Sequence, residues 1–315
     1  MFNELFVKNH YKIILVFAFF SLSIFFFILG PSDYSHRLIK EFWNLGHILY
    51  FAILIFIILK EINWIKRQTF RNQLIFCLLI TFFFSIIIEG IQFFIDRDAD
   101  IGDVRKNFIG CIFTLSFFYK NLFFNKKIVK FLQVLVVILV LFESRSFLSI
   151  FFDEIVASEQ FPILSDFETP FEKKRWQGNS EFSVDHKIIR NGNSSLKVNL
   201  NTNKYSNILL KYFPGDWSAY NYLSFSVFNT NLTPMKIYCR VYDNQHIKNG
   251  YGYTDRFNKK LEISAGWNDI TISMEEIEHA PKNRLMNIKE VKDFCIFVTN
   301  LEKPVTIYID NVKLN

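Results

Sequence analysis

Glycine, proline and cysteine are scarce in this chain, at 11, 7 and 4 residues among 315. The few glycines form no phosphate-cradling loop and no Gly-x-Ser-x-Gly elbow for a hydrolytic serine. Cys77, Cys111, Cys239 and Cys295 are too few for a disulfide framework, and with the six histidines they show no metal-type spacing. Cys239 and Cys295 pair only if their strands are neighbours in an oxidising compartment. The net charge of +6 comes with no nucleic-acid-binding motif. Many of the basic residues sit in short loops between hydrophobic stretches, where they set membrane topology.

Phenylalanine is abundant instead, with 39 residues, mostly in the first half. Up to about Phe152 the chain is dominated by Phe, Ile and Leu; beyond it Asn, Asp, Lys, Ser and Tyr recur. This predicts two domains, 1–155 and 156–315, the first a transmembrane helical bundle. Five hydrophobic stretches are expected to span: Ile13–Leu29, Phe42–Leu59, Gln73–Ile95, Asn107–Phe124 and Ile128–Phe142, the last being the shortest. Segments of roughly 17–25 apolar residues cross a bilayer. The first has no small-x-small cleavage site after it and reads as a retained helix rather than a signal peptide. With the N-terminus inside, ten Lys and Arg fall on the cytoplasmic side and six outside. That excess predicts a cytoplasmic N-terminus and, with five spans, an extracytoplasmic C-terminal domain.

Ionisable groups inside or beside a spanning helix are costly and therefore candidates for function. Glu89 and Gln92 lie three residues apart on one face of the third stretch, and Asp96, Arg97, Asp98, Asp100 and Asp103 follow. Asp103, Asn107 and Gly110 share a face of the fourth, and His47 lies near the start of the second. In the topology above all of these meet at the outer face. Two readings stand: a polar clamp that fixes helix packing, or a ligand or catalytic site. The run Glu89-x-x-Gln92, Arg97, Asp103, Asn107, Gly110, with Trp43-Asn44-Leu45-Gly46-His47 before it, resembles the VanZ-like family of bacterial membrane proteins over residues 10–125. In that family an Asp often stands four residues before the His; here the position is Trp43. The resemblance implies a small envelope-associated bundle, in a family whose founding member is linked to glycopeptide-antibiotic resistance, and it supplies no reaction.

From about Phe161 the pattern changes to short alternating stretches bounded by Gly, Asn, Asp and Pro. Ser194–Asn201, Tyr205–Phe213, Tyr222–Asn229, Met235–Asp243, Asp269–Ser273, Phe294–Thr299 and Val305–Ile309 read as strands of an all-β sandwich. Helical turns fit only at Asn287–Val291 and Met274–Ile277. Asp166-Phe167-Glu168, Gly192-Asn193-Ser194-Ser195-Leu196, Asp216-Trp217-Ser218 and the closing Ile309-Asp310-Asn311-Val312 resemble jelly-roll, galactose-binding-like carbohydrate-binding modules over 162–314. That resemblance implies a structural calcium ion held by Glu168 and Asp310; the plainer alternative is that both carboxylates cap strand ends. The loop from Asp243 to Asn258, with Tyr251, Tyr253 and Arg256, offers aromatic faces and planar polar groups for sugar. Trp176, Trp217 and Trp267 read first as core residues.

Two functions are consistent with these features. One is a non-enzymatic envelope protein that binds cell-surface glycan or a lipid-linked component, with membrane lipid as its surround. The other is a membrane enzyme acting on an amphiphilic envelope substrate through Glu89, Asp103 and His47. The small number of spans and the lack of an inverted repeat argue against a secondary transporter.

Overall fold

The computed structural model describes residues 21–25, 27, 36–94, 100–118 and 126–315. The chain divides into two compact units, Met1–Ile150 and Phe151–Asn315. A helical N-terminal region is followed by an antiparallel β-sandwich.

The helices are α1 (Arg37–Glu61), the short α2 (Asn63–Lys66), α3 (Phe70–Phe94), α4 (Ile101–Phe118) and α5 (Lys126–Gln160). The chain turns between α1 and α3 through α2, and buried Gln73 fastens that turn: its amide donates to the carbonyls of Ile65 at 2.8 Å and Gln68 at 3.2 Å. Without such a partner, carbonyls left over at a helix end would be stranded. α1 buries Gly46, His47, Tyr50, Phe51, Leu54, Ile55 and Ile58, a stripe at three- and four-residue spacing. α3 is arranged the other way. Its buried face is Gln73, Cys77, Thr81, Ser85, Ile88 and Gln92, while Leu79, Phe82, Phe83 and Ile86 face outward and Phe94 is 85 % exposed. In a helix surrounded by water the polar and apolar faces would be exchanged.

α1, α3 and α5 are each long and apolar enough to cross a membrane. α4 is not among them, since its first turns carry Asp103, Arg105 and Lys106 in only 18 residues. The expected first span, Ile13–Leu29, lies outside the described residues except for 21–25 and 27, which are helical. Asp96, Arg97 and Asp98 are outside them as well. The fifth stretch is a correction: far from being the shortest, α5 runs 35 residues, with Glu143 and Arg145 inside it. Glu143 is paired by Arg105, whose Nε lies 2.8 Å from Oε1, and the Arg145 guanidinium sits 3.9 Å from the centre of the Phe142 ring.

The second unit contains eleven strands in two antiparallel sheets. They are β1 (Ile163–Ser165), β2 (Trp176–Gly178), β3 (Glu181–Asp185), β4 (Ser195–Leu200), β5 (Tyr205–Leu210), β6 (Tyr222–Asn229), β7 (Met235–Asp243), β8 (Phe257–Ile263), β9 (Gly266–Ser273), β10 (Val291–Thr299) and β11 (Val305–Leu314). One sheet runs β3-β4-β11-β6-β9 with β1 added on β11; the other runs β2-β5-β10-β7-β8. Besides a 3-10 turn at Glu172–Arg175 between β1 and β2, two α-helical turns interrupt the strands, α6 (Asn244–Lys248), which the sequence pattern did not suggest, and α7 (Met274–Glu278). The inner faces meet in one core that includes Leu196, Val198, Ile208, Phe225, Ile237, Val241, Phe294, Ile296, Ile307 and Ile309. Trp176 and Trp217 belong to that core. Trp267 does not: it lies half-buried against Phe228, with ring centres 5.4 Å apart.

β7 and β10 are neighbours, yet the thiols do not pair. Cys239 is opposite Ile296 and Cys295 is opposite Arg240. Cys239 therefore points into the core and Cys295 to the other face of the same sheet. All four cysteines are free and buried.

Two buried polar knots fasten the start of this unit. The Glu172 carboxylate accepts from Ser165 Oγ, Thr169 Oγ1 and the backbone N–H groups of Asp166, Phe167 and Thr169, at 2.7–3.2 Å. Arg175, fully buried, donates to Asp153 Oδ1 at 2.8 Å, to the Leu164 carbonyl at 3.1 Å and to Gln160 Oε1 at 3.4 Å. Asp153 is fully buried too, so the last turns of α5 belong to the core of the sandwich unit.

Candidate functional site

In the helical unit, α1, α3 and α4 bring three of the expected polar residues into direct contact. His47 Nδ1 lies 3.0 Å from Asn107 Oδ1 and its Nε2 lies 3.2 Å from Asp103 Oδ2. Asn107 donates from Nδ2 to Ser85 Oγ at 2.9 Å, and Ser85 donates to the Thr81 carbonyl at 2.7 Å. Lys106 Nζ is 2.6 Å from Asp103 Oδ1. The carboxylate that meets His47 thus comes from α4 rather than from its own helix, where Trp43 stands. Close approach of α1 and α4 makes this possible, because Gly110 lies directly against the Ile48 carbonyl. Glu89 and Gln92 are not in this hydrogen-bonded set. Glu89 Oε2 accepts from the Asp100 backbone at 3.0 Å, and Gln92 is buried a turn further along α3. Arg97 is outside the described residues.

In the sandwich unit, the outer face of the five-stranded sheet is built by alternation. Ile237, Cys239 and Val241 of β7 enter the core, so Lys236, Tyr238, Arg240 and Tyr242 point the other way. By the same rule β5 contributes Tyr205 and β10 contributes Asp293, Cys295 and Phe297. Tyr238 stacks on Phe297 with ring centres 5.1 Å apart and planes 15° apart, and Tyr205 lies 4.9 Å from the same ring. Arg240 donates to buried Asp293 at 2.9 Å and to Tyr205 Oη at 3.2 Å. Burial pushes the Tyr205 hydroxyl and the Cys295 thiol both up to about 12, so both stay protonated at neutral pH. The result is a rigid aromatic ridge with its polar atoms already ordered.

Beside this ridge lies the loop between β7 and β8. Tyr253 is 68 % exposed, Tyr251 is exposed and held at φ 63°, and the Arg256 guanidinium lies 5.2 Å from the Tyr253 ring centre. A cleft of about 240 Å³ opens here, lined by Tyr253, Thr254, Arg256, Asn258, Ala280 and Lys282. Asp243 has a different task. It is fully buried, it caps α6 by accepting from the His246 N–H at 2.9 Å, and it takes Arg284 on both oxygens at 2.6 and 2.8 Å. Burial works against its charge, but the bonds from Arg284, Asn287 and His246 hold the carboxyl below the usual range. Arg284 also bonds Asp255, which fixes the loop at its far end. Asp243 therefore supports the loop from beneath and does not line the cleft. Tyr205, Tyr238, Arg240, Asp293 and Phe297 were not foreseen. The polar-aromatic alternation of 235–243 was the available signal.

Glu168 and Asp310 grip the same loop, 190–194, from two sides. Glu168 accepts from the N–H groups of Asn193 at 2.6 Å and Ser194 at 3.0 Å. These bonds, the Asn193 N–H first, hold its carboxyl below the usual range. Asp310 Oδ2 accepts from the N–H groups of Arg190 and Asn191 at 2.8 and 3.1 Å, while Oδ1 is buried with no hydrogen-bond partner among the described residues. Burial raises the Asp310 carboxyl, and the nearby Glu168 charge adds to that. Among the described residues no group of three or more His, Cys, Asp and Glu gathers, so any cation here would need backbone carbonyls as well.

The family described as carbohydrate binding domain 30 matches residues 160–315, the whole sandwich beyond α5. The match does not reach the α1–α4 helices. Solved structures are similar over about half of the chain. A family 11 carbohydrate-binding module from Clostridium thermocellum, in complex with a β-1,3-1,4-mixed-linked tetrasaccharide, shares 18 % identity, with 48 % of this chain and 93 % of that chain covered and a TM-score of 0.37. A family 30 module of a cellulosomal cellulase of C. thermocellum shares 14 %, covering 45 % and 91 %, with a TM-score of 0.33. An exo-β-agarase shares 16 %, covering 49 % of this chain and 24 % of that one, with a TM-score of 0.40. No curated protein matches the chain.

Proposed function

We propose that the sandwich unit binds a polysaccharide of the cell envelope across the ridge and cleft of its five-stranded sheet, and that the helical unit holds it at the outer surface of the cytoplasmic membrane. The observation that carries the glycan reading is the match of residues 160–315 to a carbohydrate-binding family, joined to a half-buried stacked aromatic ridge with the exposed Tyr251 and Tyr253 beside it on that segment. Aromatic faces stack on the C–H patches of sugar rings, and ordered polar groups take up the hydroxyls. The membrane reading is supported by three long apolar helices and by α3, whose apolar side chains face outward. With the fourth stretch counted as a crossing, the excess of Lys and Arg in the alternate loops supports a cytoplasmic N-terminus. The helical unit resembles VanZ-like proteins, and its joined His47, Asp103 and Asn107 fit a packing clamp better than an open catalytic site, since His47 and Asn107 are buried.

Right-side-out membrane vesicles carrying the full chain test both parts at once. They are expected to retain labelled envelope polysaccharide. Tyr238→Ala, which removes half of the stacked pair, is expected to weaken binding about tenfold, in line with ~1.5 kcal/mol for an aromatic contact. Binding seen only after the vesicles are opened would place the sandwich inside, and unchanged binding by Tyr238→Ala together with Tyr205→Ala would remove the face from the function.

We further propose a calcium ion at Glu168 and Asp310. The buried, partnerless Asp310 Oδ1 and the adjoining carboxylate fit a hard cation. An ion bound only to the folded state stabilises by roughly 2.7 kcal/mol at a hundredfold excess over its dissociation constant. A chelator is therefore expected to lower the melting temperature of the wild type by several degrees and to leave Asp310→Asn unmoved. No chelator response in the wild type ends this proposal.

A further inference from the structure

The sandwich unit contains five arginines, and four of them are ion-paired. Arg175 pairs with Asp153, Arg190 with Asp269, Arg240 with Asp293, and Arg284 with both Asp243 and Asp255. Arg256 is the exception. Among the described residues no carboxylate meets it, and its buried Nε has no acceptor. Its charge is disfavoured by burial first and by the nearby Arg240 second, which lowers its affinity for its proton. Arg240 is paired by the buried Asp293, whose charge reaches Arg256 without contacting it, so what Arg256 lacks is a direct acceptor, and a ligand anion would supply one.

The surroundings of Arg256 are those of a subsite. It lines the cleft together with Lys282, which is exposed and whose backbone N–H is tied to the Thr254 carbonyl at 2.9 Å. Lys260 is exposed on the adjoining strand. The acidic residues nearest in the loop, Asp243 and Asp255, are both consumed by Arg284 and leave the positive charge standing. Asn258 donates to the Tyr253 carbonyl at 3.3 Å, and its buried Oδ1 is without a partner. The cleft thus offers a charged donor and a neutral acceptor side by side, next to the exposed Tyr253 ring. That set suits a sugar ring with a negatively charged substituent and a neighbouring hydroxyl.

We propose that the polysaccharide taken by this face is acidic, with a carboxylate or an acid ester of its sugar seated on Arg256 and Lys282. This rests on the polysaccharide reading and narrows its substrate class. A bidentate guanidinium contact fixes the orientation of a planar or tetrahedral oxyanion, which a lysine alone does not.

The test uses the full chain in detergent micelles at constant ionic strength, with polygalacturonate, dextran sulfate and neutral mixed-linkage β-glucan as probes. The wild type is expected to bind an acidic probe at least about tenfold more tightly than the neutral one, as a charge-assisted contact allows. Preference for polygalacturonate assigns a carboxylate and preference for dextran sulfate an acid ester. Arg256→Gln is expected to erase that preference while keeping the melting temperature, and Arg256→Lys to restore part of it. Lys187→Gln, at an exposed lysine following β3 in the other sheet, is expected to change nothing. Equal binding of acidic and neutral probes overturns the acidic subsite and leaves the polysaccharide reading intact. An equal loss in Lys187→Gln overturns it as unspecific charge attraction, and a fall in melting temperature in both Arg256 variants overturns it as a structural arginine. Failure of the wild type to bind any probe, or any extract of envelope polysaccharide, brings down both readings.

Discussion

A sandwich fragment cut at residue 160 is expected to be about 3–5 kcal/mol less stable than one cut at 151, the usual cost of stranding one member of a buried ion pair. Residue 160 is where the family match begins, and the compact unit itself begins nine residues earlier, at Phe151. The shorter fragment, however, loses Asp153 and keeps Arg175, a guanidinium with no access to water. The Leu164 carbonyl remains as a partner at 3.1 Å, but it is neutral. At roughly 2–4 °C per kcal/mol for a domain of this size, the melting temperatures should differ by about 6–20 °C. Asp153→Asn in the longer fragment is expected to lose a comparable amount. Replacing both partners, Asp153→Leu with Arg175→Met, should recover much of it, because a well-packed apolar pair needs no desolvation. Thermal denaturation of the four proteins decides the matter, and equal melting of the two fragments would mean that the pair is solvated.

The second large effect belongs to the helices. Gly110→Leu is expected to abolish accumulation of the folded chain, and Gly110→Ala to lower its stability in detergent by more than the ~1–3 kcal/mol usual for overpacking. A Cβ at this position would meet the Ile48 carbonyl oxygen and would lie 3.0 Å from the Ala52 nitrogen. Both are backbone atoms of α1 and cannot swing aside as a side chain would. Moving α1 off α4 would also lengthen the His47–Asn107 bond, now 3.0 Å, and the bond from Thr114 Oγ1 to the Ala52 carbonyl, now 2.7 Å. Gly90→Ala is the control. Among the described residues nothing lies within 4 Å of a Cβ there, and the position is inside α3. Alanine in a helix interior is worth roughly 0.5–1 kcal/mol over glycine, so this variant should be neutral or better. Membrane abundance and thermal stability after solubilisation separate the two glycines, and equal tolerance would contradict the close approach.

The residues that were legible in the sequence are those whose pattern repeats over a long stretch. Tyr222–Asn229 and Met235–Asp243 were bounded correctly because alternating apolar residues, Leu223, Phe225 and Val227 in one and Met235, Ile237, Cys239 and Val241 in the other, with turn residues at each end, leave no other register. β8 was missed because Lys259 and Lys260 interrupt the alternation of Phe257, Leu261 and Ile263. β2 spans only three residues, which is too short for any period to show. The length of α5 was missed for an electrostatic reason. Glu143 and Arg145 read as a helix end, and only the fold shows that Arg105 of another helix neutralises Glu143. Of the site, Tyr251, Tyr253 and Arg256 were visible because a loop dense in aromatic and polar residues stands out. The ridge of Tyr205, Tyr238 and Phe297 was not, because it is assembled from three strands far apart in sequence and exists only once β10 pairs with both β5 and β7. Asp243 looked like a sugar ligand for the same reason: its true partner, Arg284, lies 41 residues away.

The reversed polarity of α3 bears on how tolerant the helix is of sequence drift. In a lipid surround, outward positions such as Leu79, Phe82, Phe83 and Ile86 meet only hydrocarbon, which does not distinguish one bulky apolar side chain from another. In that surround they would keep the helix in the hydrocarbon and specify little else. Which way it turns about its own axis is written in the inward set, Gln73, Cys77, Thr81, Ser85, Ile88 and Gln92. Most of the helix is therefore interchangeable lettering, and its structural information is concentrated in about one position in four. A chain can diverge far along such a helix and keep its neighbours, provided those few small and polar letters survive.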